Sequence, residues 1–515
     1  MNTGTLSSVE LDQLPPAVYR RRWLTLGVLC FSLVIIVMDN TILNVAIPSL
    51  MRDLQASNSD IQWIIDAYVL VFAGLLLTTG TLSDRFGRKG ALQSGIILFA
   101  LGSVLAALSQ TSTQLILTRA FMGIGGAMIM PATLSILTNV FRDRVERGRA
   151  IAIWAAFSGV GVAIGPILGG FLVERYSWHS VFWVNVPVGL LALVLGVYLV
   201  PTSCDPRHTK VDIPGAILSI IGQVSILYGI IEGPSLGWTH RWVLLAFVIA
   251  VVTVAVFIAW ERHTDHPMID VSVFKNRRFS AASGTVTLVF FALMGSMFLM
   301  TQYWQLVHGY SPFEAGIRLL PQAITAMIVS PMSARFVEKY GTTRVVATGL
   351  VIMAIGLGLI STVQPDSSYP QVISYLIVMA IGMGLTMAPA TESVMGSLPR
   401  EKAGIGSAIN DTTRQIGGAL GIAIIGSVVS SVWGGRIGEL AASMGFDREM
   451  ASMVADSLGT AHRFASQIGD GGAAFITTVN QIFVDAMASG MRLASIVVVA
   501  AAVVVWKFLP ATSDD

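Results

Sequence analysis

Long apolar runs separated by short polar turns dominate the chain. Stretches of about twenty apolar residues, the length at which an α-helix crosses a hydrocarbon core, lie at 23–48, 61–82, 91–109, 113–135, 149–172 and 180–200. Two follow at 213–232 and 241–260, and six more at 280–306, 313–336, 343–363, 371–397, 404–431 and 478–509. The pattern predicts an all-α polytopic membrane protein with fourteen transmembrane helices. It also predicts an organisation: a polar leader over 1–22, a six-helix bundle over 23–200, and a linker over 201–279 holding two inserted helices. A second six-helix bundle over 280–509 and a tail over 510–515 complete it. Within the second bundle, 432–477 is rich in Gly, Ala and Met and is expected to be an external loop, partly amphipathic helix. The run after the leader is too long for a signal-peptide core, so it is expected to be an uncleaved first helix.

Composition narrows the class. Only 12% of the 515 residues are charged and 54% are hydrophobic, against about 25% charged in soluble proteins. Net charge is +2, which leaves no basic domain to neutralise nucleic-acid phosphates. Cys30 and Cys204 are the two cysteines, so neither a disulfide framework nor a cysteine metal site is expected. No phosphate-cradling loop or HExxH pattern is present, and no cofactor is expected. Of the 32 basic residues, 22 fall in segments on the leader's side of the membrane and 8 at the opposite helix ends. By the positive-inside rule both termini are then cytoplasmic.

Ionisable residues inside apolar runs cost at least ~2.5 kcal/mol at mid-depth and point to function. Asp39 is the first, in Met38-Asp39-Asn40-Thr41-Ile42-Leu43-Asn44, with Asn40 and Asn44 as polar neighbours and Pro48 expected to end or bend the helix. Asp66 lies in Gln62-Trp63-Ile64-Ile65-Asp66-Ala67-Tyr68, and Arg119 in Leu117-Thr118-Arg119. Counted from their helix ends, all three sit at similar depth. They form either a shared polar cavity or a static ion pair with one spare carboxylate. Burial favours a carboxyl's neutral form and a nearby cation its charged form, so such an acid can exchange a proton while competing for a cationic substrate. Trp63 and Tyr68 are the aromatic neighbours expected at that site. In the second bundle, Glu392, Asp411 and Arg414 are weaker candidates, because Asp411 and Arg414 are spaced to pair with each other. Glu232 is expected at an interface.

Two backbone motifs stand out. Gly80-Thr81-Leu82-Ser83-Asp84-Arg85-Phe86-Gly87-Arg88-Lys89-Gly90 is a tight basic turn between two apolar runs. Ser333 to Arg344 repeats its outline without the central Asp, as expected of a transporter built from related halves. The second motif is Gly159-Val160-Gly161-Val162-Ala163-Ile164-Gly165-Pro166-Ile167-Leu168-Gly169-Gly170. Its glycines offer a smooth face for close helix packing, and Pro166 removes a backbone hydrogen bond.

These strings resemble motifs of the major facilitator superfamily over nearly the whole chain. The basic turn resembles its motif A, Leu117 to Gly126 its motif B and the Gly-Pro string its antiporter motif C. Asp39 to Pro48 and Trp178 to Gly189 resemble signatures of the fourteen-helix drug:proton antiporter branch. The resemblance implies a bacterial cytoplasmic-membrane protein, commonly a monomer, that exports lipophilic or cationic compounds in exchange for protons by alternating access. It also implies roles. Asp84 and Arg88 would hold the halves together when the protein faces outward, and Gly161, Gly165 and Pro166 would govern their opening. Arg119 would assist proton transfer, and Asp39 with Asp66 would supply proton and cation sites. Export of one dedicated natural product, siderophore or lipid is the alternative, and a non-transporting scaffold or receptor is the alternative of a different class.

Overall fold

The computed structural model describes residues 16–204, 212–264, 267, 271–397, 403–446, 448–465 and 472–509. Among them no strand occurs, and the chain runs through eighteen α-helices. The first bundle comprises α1 (Pro16–Asp53), α2 (Asn58–Phe86), α3 (Arg88–Ala107), α4 (Ser112–Val140), α5 (Arg144–Arg175), the single turn α6 (Ser180–Trp183) and α7 (Asn185–Leu199). An antiparallel pair, α8 (Ile213–Leu236) and α9 (Arg241–His263), follows. The second bundle begins with α10 (Arg277–Gln302), which passes into a π-helical turn over Tyr303–Val307. It continues through α11 (Pro312–Arg318), α12 (Leu320–Tyr340), α13 (Thr342–Ile360), α14 (Tyr369–Gly396) and α15 (Ala403–Ser443). The short helices α16 (Arg448–Ala455) and α17 (Leu458–Ala465) then lead to α18 (Gly472–Phe508).

Among the described residues, twelve helices are long and apolar enough to cross a membrane. The expected spans at 149–172 and 313–336 coincide with α5 and with α11–α12, which are not among the twelve. Several boundaries differ from expectation for identifiable reasons. Pro48 does not end α1, which runs on to Asp53 with the proline inside it. A proline costs a helix one hydrogen bond, and dense packing around Ile47, Leu50 and Met51, all fully buried, holds the last turn. The expected loop at 432–477 is mostly helix, because α15 continues through its glycines to Ser443.

One end of the molecule carries the α1–α2 turn at residues 54–57 and is called distal below; the other is proximal. Two proximal turns share one device: Gly87 (φ 117°) joins α2 to α3 and Gly341 (φ 81°) joins α12 to α13, each as a single linking residue. Both occupy backbone space that side chains disfavour, so the faint sequence repeat has a shared turn geometry. The basic turn docks on the end of α7 and the segment after it. The Arg88 N–H donates to the Ser203 carbonyl at 2.9 Å, and Lys89 Nζ to that of Val197 at 2.7 Å. Arg85 and Phe86 are exposed, and the side chain of Asp84 lies outside the described residues.

The contacts that join the bundles gather distally. Within the first bundle, Gly161, Gly165 and Gly169 let α5 press on Val37, Thr41 and Ile42 of α1. Gly170 meets the backbone of Pro312 and Phe313, and Gly316 that of Pro166, so α5 and α11 touch main chain to main chain. Gln305 Nε2 donates to the Val45 carbonyl at 2.8 Å, and the Phe313 N–H to Glu174 Oε2 at 3.3 Å. The α16–α17 segment caps this seam. Trp433 Nε1 donates to the Ala455 carbonyl at 2.8 Å, and the Asn58 N–H donates to that of Asp456 at 3.2 Å. Arg463 Nη1 reaches the Arg52 carbonyl at 2.8 Å.

His462 anchors the cap, its Nε2 lying 2.7 Å from Asn480 Oδ1 on α18. Burial pushes its pKa below the ordinary histidine range, while the Asn480 bond opposes the shift. A histidine held neutral in the docked state stabilises docking above its unfolded value of about 6.5, and that contribution falls as pH drops below it toward the lowered value. Amide exchange over 458–465, corrected for intrinsic rates, is therefore expected to lose protection between pH 7.5 and 5. In His462→Gln this loss toward acid pH should disappear, and a wild-type-like loss in that variant would refute the assignment.

Candidate functional site

The first bundle buries a charged network in its apolar interior. Asp39 lies midway along α1 and Arg119 in the second turn of α4; each side chain is 1% exposed. Arg119 Nη1 donates to Asp39 Oδ2 at 2.5 Å. Asn185, at the start of α7, donates through Nδ2 to Asp39 Oδ1 at 2.9 Å and to Ser103 Oγ at 3.3 Å. Arg119 Nε donates to the Ile64 carbonyl at 3.2 Å, and its guanidinium lies 4.4 Å from the Tyr68 ring centroid. Both carboxylate oxygens of Asp39 are thus satisfied, and its charge is balanced by a cation that also gains cation–π attraction.

Asp66 is treated differently. It is fully buried, and neither carboxylate oxygen has a hydrogen-bond partner. One turn earlier, Gln62 Oε1 is likewise buried and unpartnered. Residues four apart share a helix face, and this face of α2 meets α15 at Gly426, where an added Cβ would fall 2.6 Å from Gln62 Nε2. Ser427 Oγ beside it is also buried without a partner. Asp39 is therefore internal to the first bundle, whereas Asp66 lies on the face turned toward the second. A buried carboxylate without a partner is expensive in its charged form. It tolerates either a proton or an incoming cation.

The other candidates divide. Tyr68 is buried with its ring stacked on Phe72, centroids 5.7 Å apart, and its hydroxyl is unpartnered. Asn40 and Asn44 turn their amides back onto their own helix, to the Ile36 carbonyl at 3.1 Å and the Asn40 carbonyl at 3.2 Å. Trp63 turns its indole N–H to α8, Nε1 donating to Glu232 Oε1 at 3.0 Å; Ser59 Oγ donates to the same oxygen at 2.7 Å. Glu232 thereby ties α8 to α2. In the second bundle Arg414 lies 3.9 Å from Asp411 and donates to Thr391 Oγ1 at 3.0 Å, while Glu392 is exposed. These do not join the Asp39 network. Asn185 was not among the expected site residues. Its sequence signal is an amide in an apolar run, inside the Trp178 to Gly189 signature.

Two helical bundles joined at one end, with buried ionisable residues within one and facing the other, have the architecture of a membrane transporter. The chain belongs to the Major Facilitator Superfamily, whose family model matches residues 29–422. It is 33% identical to the multidrug efflux pump LfrA of Mycolicibacterium smegmatis, over 94% of this chain and 96% of that protein. It is 34% identical to the multidrug resistance protein Stp of Mycobacterium tuberculosis, over 80% and 76%. The methyl viologen resistance protein SmvA of Salmonella typhimurium is 32% identical over 87% and 90%. Among solved structures, an inward-facing, unoccupied bacterial homologue of the human lysosomal transporter Spinster superposes with a TM-score of 0.68 at 19% identity. That match covers 96% of this chain and 98% of the other, and shows the fold.

Removing one member of a buried ion pair strands the other and costs ~3–5 kcal/mol, whereas neutralising both is far cheaper. Arg119→Ala should therefore lower the thermal unfolding midpoint in detergent much more than the double variant Asp39→Asn/Arg119→Gln. Equal losses would mean that the pair carries no charge-balancing role.

Proposed function

We propose that this protein exports amphipathic, cationic small molecules across the cytoplasmic membrane in exchange for protons. The observation that carries the reading is the contrast between two acids: Asp39 balanced by Arg119, and Asp66 buried without a partner on the face toward the second bundle. Asp66 is the site that alternates between a proton and the cation. Asp39, Arg119 and Asn185 form the relay that passes the proton through the first bundle. The relatives' names, multidrug efflux and resistance to methyl viologen (an organic dication), support a cationic substrate class.

With both termini cytoplasmic, the distal end faces outward, and the conformation described is closed outside. The Pro166–Gly170 end of α5, set backbone to backbone against α11, is the surface on which the bundles rock, while Gly161, Gly165 and Gly169 seat α5 on α1. The turn from Gly80 through Asp84 and Arg88 latches the inner end when the protein opens outward. The proton gradient supplies the energy: one charge crossing 100 mV gains ~2.3 kcal/mol.

The test is reconstitution in liposomes with an imposed pH gradient, following a fluorescent lipophilic cation and an internal pH dye together. Wild type is expected to move the cation against protons, Asp39→Asn to lose gradient coupling, and Asp66→Asn to lose cation movement. Coupled movement in both variants would remove these acids from the mechanism. No movement by folded wild type would favour a dedicated exporter.

A further inference from the structure

The distal end of the second bundle holds an aromatic cluster that the transport site does not use. Tyr303 and Trp304 come from the π-helical turn, His308 and Tyr310 from the loop after it, and Tyr369 from the start of α14. Trp304 and Tyr310 stack with centroids 5.5 Å apart and planes 21° apart, and Trp304 lies 5.8 Å from Tyr369. The loop is pinned from below, for the Tyr303 hydroxyl donates to the Gln364 carbonyl at 2.8 Å and His308 Nε2 lies 2.8 Å from the same hydroxyl.

A cation already occupies these rings. Arg318, the last residue of α11, lays its guanidinium 3.9 Å from the Tyr310 centroid and 5.6 Å from that of Tyr369. Both distances are within the reach of cation–π attraction. Its carboxylate neighbour is Glu314 at 3.6 Å, on the exposed outer side of the same helix. Burial and the adjacent Arg318 charge hold the His308 pKa below the ordinary histidine range, so at neutral pH the imidazole adds no second positive charge to the rings. The cluster also adjoins the seam between the bundles. Gln305 of the π turn bonds to α1, and Phe313 of α11 bonds to α5. When the bundles part distally, both the turn that carries Trp304 and the helix that carries Arg318 lose those anchors.

We propose that Tyr310 and Tyr369 form a second organic-cation site at the distal end, filled by Arg318 while that end is closed and taken by the exported cation as it opens. Arg318 is then an internal placeholder that returns to the rings after release and discourages rebinding. The substrate class rests on the function proposed above, but the ring site is testable apart from it.

The experiment is equilibrium dialysis of tetraphenylphosphonium against the full chain in nanodiscs, with Asp66→Asn as background so that the central acid cannot contribute. Adding Arg318→Gln should vacate the rings and tighten binding about three- to fivefold, the scale of one exposed cation–π contact. A further Tyr310→Leu or Tyr369→Leu should abolish that gain, while Tyr310→Phe, which keeps the ring and serves as the folding control, should retain it. No gain on Arg318→Gln, or a gain that survives loss of either ring, overturns the proposal. Wild-type transport of the same cation in liposomes is scored separately. Ring-dependent binding without transport would leave the distal site standing and remove the exporter reading.

Discussion

The bond between Arg119 and Asp39 is the constraint on which the first bundle depends. Neither charge could be held at this depth alone, since each would face a desolvation cost of several kcal/mol. Together, with Asn185 on the second carboxylate oxygen and the Ile64 carbonyl and Tyr68 ring on the guanidinium, they fix the relative placement of α1, α2, α4 and α7. Such a pair adds little net stability. It adds a register: the four helices can slide only by breaking a bond that water cannot replace.

Asp66 gains its character from that arrangement. Because the local cation is committed to Asp39, nothing neutralises the second acid, and its face is turned to the other bundle. Packing between the bundles is correspondingly polarised. Glycines on α5 and α11 bring backbone against backbone at the distal end, and Gly426 of α15 admits the Gln62 side chain of α2; close approach there compensates for the absence of a hydrophobic drive between helices in lipid. The cap of α16 and α17 covers that seam with helix where an open loop would leave it bare.

Much of this was legible in the sequence. Apolar runs gave the helices their places because twenty such residues have few alternatives in a bilayer. Asp39, Asp66 and Arg119 announced themselves as charges where charge is costly. The division of labour between the two acids was not legible, since the distinction is which one the guanidinium reaches across 80 residues of sequence. Asn185 was missed because an amide in an apolar run gives no sign of its partner. Trp63 lies one turn before Asp66 on α2, yet its indole N–H is taken by Glu232 of α8, a partner 169 residues away that local spacing does not announce. The glycines at 434, 435 and 438 suggested a loop, but there α15 continues as helix, held by the buried Trp433 and Ile437 between them.

The α8–α9 pair gives the molecule two unlike sides. One edge of the seam between the bundles is formed by α2 and α15, and α8 packs against both, fastened to α2 through Glu232. Among the described residues, the opposite edge, formed by α5 with α11 and α12, has no such screen, and α12 there exposes Ile324, Met327 and Ile328. A compound dissolved in the surrounding lipid therefore meets a helical wall on one flank and an unscreened junction on the other. The protein therefore has a front and a back in the plane of the membrane.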